Sequence, residues 1–392
     1  MQVAAPPGFL DAASGQPLNP AAREALAAAA DAGWADPRRL YREARQSALL
    51  LDAAREAVAT VLGARPADVA FTGGASVALR QAVEGALAGR PGPLVVSAVE
   101  HSAVLRAADA HEARGGEVRT VGVDRQGRVD IEAWAAALTG ASLACLQAAN
   151  HEVGTLQPTA AAAAARDAGV TLLVDATMTV GRTDPPEAWD LLVTQASTWG
   201  GPSGFGALAV RPGMRWRGTE GAEGGSPGIG DPGPVSIPLA VAAARGLEWA
   251  EGARSSDAPR ARQLTDRIRA DVAVSVTDVA LLGDPVERLP YLTAFSCLYV
   301  DGETLVLGLD RAGYAISSGS SCVADTRRPS HVLAAMGVLT QGNVRVSLPW
   351  GVSDETVDGF LATLPGVVAD ARALIGAVEL DRTPSKEGQR EG

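Results

Sequence analysis

At 392 residues with 47% hydrophobic content, the chain can bury a large core and divide into one large and one smaller domain. A formal net charge of −11, with the acidic excess scattered and no basic stripe interleaved with aromatics, argues against a nucleic-acid partner. Met1 to Phe9 shows no cationic segment followed by an apolar run, and Ala160 to Ala165 is too short to span a bilayer, so no membrane partner is expected and the expected location is the cytoplasm.

From Asn19-Pro20, which offers a cap and a first-turn proline, a helix is predicted over Ala21 to Ala30, and helical spacing of apolar residues predicts another over Ala44 to Leu62. Seven short buried strands follow: Val69 to Thr72, Leu94 to Ser97, Val118 to Val121, Leu143 to Gln147, Leu172 to Asp175, Leu191 to Gln195 and Gly206 to Val210. Helical patterns separate most of them, which predicts an α/β fold with a mainly parallel seven-stranded sheet flanked by helices. Ligands in such sheets gather at the carboxyl ends of strands, which groups Thr72 to Ser76, Asp175 and Gln195 to Thr198. Gly218 to Pro234 is rich in glycine and proline and reads as a loop, and Ile237 to Gly252 as a helix leading away. A smaller α+β C-terminal domain is expected next, with strands at Thr293 to Val300, Tyr314 to Ser317 and Asn343 to Leu348 and helices at Ser330 to Met336 and Asp354 to Leu364. The expected division is 16–245 for the large domain, 1–15 with 246–378 for the small one, and a disordered tail over 379–392.

The three cysteines, Cys145, Cys297 and Cys322, are too widely spaced for a disulfide framework or a paired metal site, so no metal is expected and any functional cysteine works as a thiol. Cys145 and Cys297 lie in apolar strand patterns and read as core. Phe71-Thr72-Gly73-Gly74-Ala75-Ser76 follows a strand and opens a helix, a form that offers free backbone amides to a phosphate and that equally serves as a plain connection.

Several runs, in order and spacing, resemble the cysteine desulfurases of the class V aminotransferase family. The glycine turn is similar to F-T-S-G-A-T-E, Glu100-His101-Ser102-Ala103-Val104 to E-H-x-A-V, and Asn150 to Pro158 to N-N/H-E-x-G-x-x-Q-P. Ser317 to Cys322 resembles S-x-G-S-A-C, Pro329 to Gly337 resembles P-S-H-V-L-x-A-M-G, and Val344 to Leu348 resembles V-R-x-S-L. The resemblance implies an aminotransferase-type fold and pyridoxal phosphate as cofactor. It implies that Ala75 and Ser76 hold the phosphate, His101 stacks on the ring and handles protons, His151 meets the ring hydroxyl, and Asp175 faces the pyridinium. It further implies L-cysteine as substrate, Arg345 as the clamp for its carboxylate, and Cys322 as the thiol that becomes a persulfide for a sulfur-acceptor protein.

One run departs from the pattern. Asp190 to Leu208 aligns without a gap with D-L-x-x-x-S-G-H-K-x-x-G-P-K-G-x-G-A-L, and places Ser197 at the histidine and Thr198 at the cofactor lysine. Among 34 basic residues the single lysine is Lys386, in the polar tail. Arginine cannot form an imine, and a threonine hydroxyl can neither form one nor shuttle a proton near neutral pH. Ile229-Gly230-Asp231-Pro232 stands where the family has R-x-G-T, and Met178 where it usually has a glutamine, so the phosphate cup and the ring contacts are also changed. Pyridoxal phosphate is therefore expected to be held noncovalently or lost, and desulfurase activity to be impaired or altered. The dimer is expected to be a homodimer or a heterodimer with an intact homologue. Two other readings stay open: a regulatory or sulfur-accepting paralogue, and a cofactor-independent enzyme that reuses the cleft through Cys322 and Thr198.

Overall fold

The computed structural model describes residues 5–217, 235–318 and 329–375. The expectations for the glycine-rich loop, Asp231, Cys322 and the tail fall outside the described residues.

The chain opens with α1 (Pro20–Ala32) and α2 (Arg42–Leu62), then alternates β1 (Val69–Thr72), α3 (Ala75–Gly89), β2 (Leu94–Ser97), α4 (Ser102–Ala113), β3 (Val118–Val121), α5 (Ile131–Ala137), β4 (Leu143–Gln147), α6 (Thr159–Asp167) and β5 (Thr171–Asp175). It continues through β6 (Leu191–Gln195), β7 (Gly206–Val210), α7 (Ile237–Ser275), β8 (Val279–Leu282), β9 (Leu292–Cys297), α8 (Gly302–Arg311), α9 (His331–Ala335), β10 (Asn343–Ser347) and α10 (Asp354–Ile375).

Seven strands form one sheet in the order β1-β7-β6-β5-β4-β2-β3, and only β7 runs against its two neighbours. Its central strands are buried along their whole length because helices cover both faces, which is why they read as unbroken apolar runs. The mainly parallel α/β sheet expected from the sequence is thus present. A second sheet, β10-β9-β8, is antiparallel and packs with α8 and α10.

Besides the helix expected over Asp354 to Leu364, which runs past Pro365 to Ile375, three details depart from the sequence reading. The helix expected to end at Gly252 runs on to Ser275. Its first half packs Ala240, Ala243, Leu247 and Ala250 into the core under the large sheet, and its second half packs Leu264, Ile268 and Val272 into the core under the small one, with Pro259 between. Burial at both ends outweighs the helix-breaking cost of that proline. Tyr314 to Ser317 is not a strand. It makes only single bridges, Ala315 to Phe9 and Ser317 to Arg345, because the N-terminal segment wedges in: Leu10 N donates to Ala315 O, and Ala12 N donates to Ser347 O. Third, β8 and α8 have no counterpart in the sequence reading. No helix among the described residues is long and apolar enough to cross a membrane.

The segment that carries Thr198 is fixed by a remote cap. Asn19 accepts from Ala22 N at 2.9 Å as the N-cap of α1, while its Nδ2 donates to Trp199 O and to Gly246 O at 3.1 and 2.8 Å. One buried amide therefore joins α1, α7 and the turn after β6. That turn, a single 3-10 turn over Ala196–Trp199, closes at Gly200, whose φ of +81° is left-handed and where a Cβ would press to 3.1 Å from Asn19 Cβ.

Candidate active site

The carboxyl ends of β1, β5 and β6 lie on one edge of the large sheet, as expected, and two groups of side chains meet there.

The first group gathers around His101. This residue caps α4, its Nδ1 accepting from Ala103 N at 3.1 Å, so the neutral ring carries its proton on Nε2. Burial lowers its pKa from the ordinary histidine value, and the Asp175 carboxylate pulls in the opposite direction. His151, in the turn after β4, sets its ring edge-on to His101 with centroids 5.1 Å apart. Burial, then the neighbouring His101 and Arg345, push His151 well below the ordinary value, and its buried Nδ1 has no partner among the described residues. Asp175 ends β5, buried, and its Oδ1 accepts from Thr177 N at 3.0 Å and from the Thr177 hydroxyl.

Beneath these lies a polar layer for which the sequence reading assigned no role. Gln147 N donates to Glu100 at 2.9 Å, and Gln147 Nε2 and Asn150 Nδ2 both donate to Val99 O. Glu100 is fully buried, so its carboxyl is pushed well above the usual range. Burial also raises Glu152, to about 7, against the lowering effect of Ser330, whose hydroxyl donates to it at 2.5 Å. His331 Nε2 donates to Glu100 O at 2.9 Å. These two contacts pin the start of α9 to the edge that carries His101.

Arg345 joins this group from β10. Its Nη1 donates to His151 O at 2.9 Å, while its Nη2 donates to Asp11 at 2.8 Å and to Ser14 Oγ at 2.6 Å. The guanidinium is buried and already paired with Asp11 in an interior ion pair. Asp11 and Ser14 carry no motif; only chain closure over 334 positions brings Asp11 here.

The second group is the anchoring side. Thr198 is buried and its hydroxyl donates to Gln195 O at 2.8 Å, while its carbonyl accepts from Gln16 Nε2 at 2.8 Å. Ser197 Oγ accepts from Gln195 Nε2 at 2.7 Å. Ala75 and Ser76 open α3 behind Gly74, and Ser76 is exposed. A cleft of about 360 Å³ lined by Asp11, Ser14, Gly15, Gln16, Ser197 and Ser203, with Phe9 and Pro17, connects the anchoring side to the partners of Arg345. Met178 is buried in the core under the small sheet, and its carbonyl accepts from the Tyr291 hydroxyl at 2.9 Å.

A pyridoxal group would meet an orphaned imidazole nitrogen on His151, a flat ring on His101 and a strand-end carboxylate on Asp175, which fit its hydroxyl, face and ring nitrogen. A covalent linkage does not fit, since no lysine occurs among the described residues and Thr198 spends its hydroxyl inside its own turn.

Comparison with known proteins agrees with this arrangement at the level of family. The model of aminotransferase class-V matches residues 9–360. A cysteine desulfurase of Cereibacter sphaeroides is 35% identical over 387 residues, covering 95% of this chain and 99% of the relative. Cysteine desulfurase IscS 1 of Archaeoglobus fulgidus is 30% identical over 376 residues, covering 93% and 98%. Among solved structures, a NifS-like protein superposes with a TM-score of 0.85 at 25% identity, covering 92% of this chain and 99% of the other. The chain belongs to the class-V aminotransferase family and is cysteine desulfurase-like.

Proposed function

We propose that this protein holds pyridoxal phosphate and L-cysteine reversibly at the carboxyl edge of the large sheet, and that its desulfurase turnover is far below that of a lysine-bearing relative. The observation that carries this reading is Thr198, a buried hydroxyl committed to Gln195 O at the position of the cofactor lysine. When bound, the cofactor supplies an electron sink for bond cleavage in the amino acid. Asp175 would face its ring nitrogen, His101 its face and His151 its hydroxyl, with Ala75, Ser76 and Ser197 toward the phosphate. Arg345 would take the substrate carboxylate through two parallel hydrogen bonds, which requires it to exchange Asp11 and Ser14 for the ligand. By resemblance the products are L-alanine and a persulfide on Cys322 for an acceptor protein, and the protein acts as a cytoplasmic dimer.

The loss of a positioned proton shuttle is worth about a hundred- to ten-thousandfold in rate. Sulfide and alanine release from L-cysteine with added pyridoxal phosphate measures it directly, with Cys322→Ala as the blank. Wild type is expected to lie below Thr198→Lys by that factor; turnover equal to that of the lysine variant would overturn the reading. A second reading, a regulatory or sulfur-accepting partner of an intact desulfurase, is favoured by the internally satisfied Thr198 turn, which presents no reactive amine. Co-purification with such a homologue supports it, and a strictly self-paired protein that accepts no sulfur excludes it.

A further inference from the structure

Gln195 ends β6 on the edge where α3 begins. Its side-chain amide spans the gap between the two. Nε2 donates to Ser197 Oγ at 2.7 Å, and Oε1 stands 3.5 Å from Ala75 N, the first backbone nitrogen of α3. The short bond fixes the amide, and the long one places a carbonyl oxygen against the positive end of the helix without making a strong hydrogen bond.

The surrounding backbone holds this arrangement. Gln195 pairs with Gly206 across β6 and β7, and Thr72 pairs with the same glycine across β1 and β7. A Cβ on Gly206 would come within 2.9 Å of Gly74 C and 3.0 Å of Ala75 N, so the strand end and helix start are in direct backbone contact. Gly74 has a φ of +110° and presents only hydrogen toward Gln195 Oε1, which an added Cβ would approach to 4.0 Å. A helix start of this form gains by facing an anion. Here a neutral amide of the same chain faces it, linking Ala75 to Ser197, two of the residues assigned above to the phosphate. The corresponding strand-end run, D-L-x-x-x-S-G-H-K, has a serine at this position, which is too short to make such a bridge.

We propose that Gln195 is a specificity-determining residue whose side-chain amide fills the phosphate end of the site, so that the protein binds the pyridoxine-type ring with little preference for its phosphorylated form. This rests on the cofactor reading above. A phosphate entering between Ala75 N and Ser197 must displace both ends of the amide. Removing the amide exposes the first amides of α3 and the Ser197 hydroxyl to the phosphate as charge-assisted donors.

The test is binding of pyridoxine phosphate and of pyridoxine, neither of which has an aldehyde to react with stray amines, to the full-length protein by equilibrium dialysis. Wild type is expected to bind the two within about threefold of each other. In Gln195→Ser, affinity for pyridoxine phosphate should rise about ten- to a hundredfold with pyridoxine nearly unchanged, as expected for recovering one or two charge-assisted hydrogen bonds. Gln195→Glu, close to isosteric, should weaken only the phosphorylated ligand. A wild type that already prefers pyridoxine phosphate, with Gln195→Ser reducing or not altering that preference, overturns the proposal alone and would make Gln195 a donor or a bystander. No binding of either ligand by any of the three proteins sinks the cofactor reading, and this proposal with it.

Discussion

The two sides of the cleft satisfy their polar groups in different ways. Around His101, groups are buried beyond what the chain can pair: His151 Nδ1 and Glu100 Oε2 have no partner among the described residues, and Glu152 is held near neutrality. Around Thr198, hydroxyls and amides close on one another within a few residues, from Thr198 to Gln195 O and from Gln195 to Ser197. Unpaired buried polar atoms cost free energy and persist where a ligand completes them, whereas a short closed network needs no ligand. On the proposed reading, the difference is that between a ring-binding side left open to a ligand and an anchoring side closed into ordinary structure.

The largest test of that contrast restores the anchor. Thr198→Lys, alone or with Ser197→His, should produce a borohydride-reducible linkage to pyridoxal phosphate and raise turnover by about a hundred- to ten-thousandfold. Failure to form the linkage in a folded variant would mean that the ring side is no longer a site either. Next in size is Arg345→Ala, which strands Asp11 beside a buried gap; an unfolding free energy lower by about 3–5 kcal/mol is expected from denaturant titration. Thr198→Ala, on the other side, removes one local hydroxyl bond and should cost only about 1 kcal/mol, so equal losses would erase the distinction.

A pH-dependent effect belongs to Glu152. Its folded pKa of about 7 lies above its unfolded one, so the folded state binds more protons between them. Its contribution is fully present below the unfolded value and is lost as pH rises through 7. Glu152→Gln keeps an acceptor for Ser330 and removes the titration. The variant should therefore gain on wild type by about 2–3 kcal/mol between pH 5 and 8. His101 and His151, lowered by burial, act with the opposite sign and are present in both proteins, so the difference isolates Glu152. A flat difference would show that the carboxyl is ionised in the fold.

Much of this was legible before any coordinates. The seven strands of the large sheet lie where the sequence reading puts them to within a residue, because strands buried on both faces leave a dense local signal; the edge strand β3, expected to be buried, is partly exposed. The absence of lysine before Lys386 is legible because absence from a composition is independent of alignment. What the sequence hides is pairing at a distance. Tyr314 to Ser317 has strand composition, yet the N-terminal segment takes its partners. The links from Arg345 to Asp11 and from Asn19 to Gly246 join residues with no periodicity between them, and the Gln195 bridge depends on a register set by Gly206. The continuation of α7 past Gly252 was hidden for a similar reason, since its buried residues face one core and then another.

That helix has a mechanical consequence. Because a single 39-residue rod supplies wall to both hydrophobic cores, neither sheet can lose its packing without exposing apolar surface belonging to the other. The protein should therefore melt in one transition seen alike by tryptophan fluorescence, whose reporters include Trp134, Trp189, Trp199 and Trp350 in the first core, and by far-ultraviolet dichroism. Substitutions along the rod, far from the cleft, would then be felt at both ends of the molecule at once.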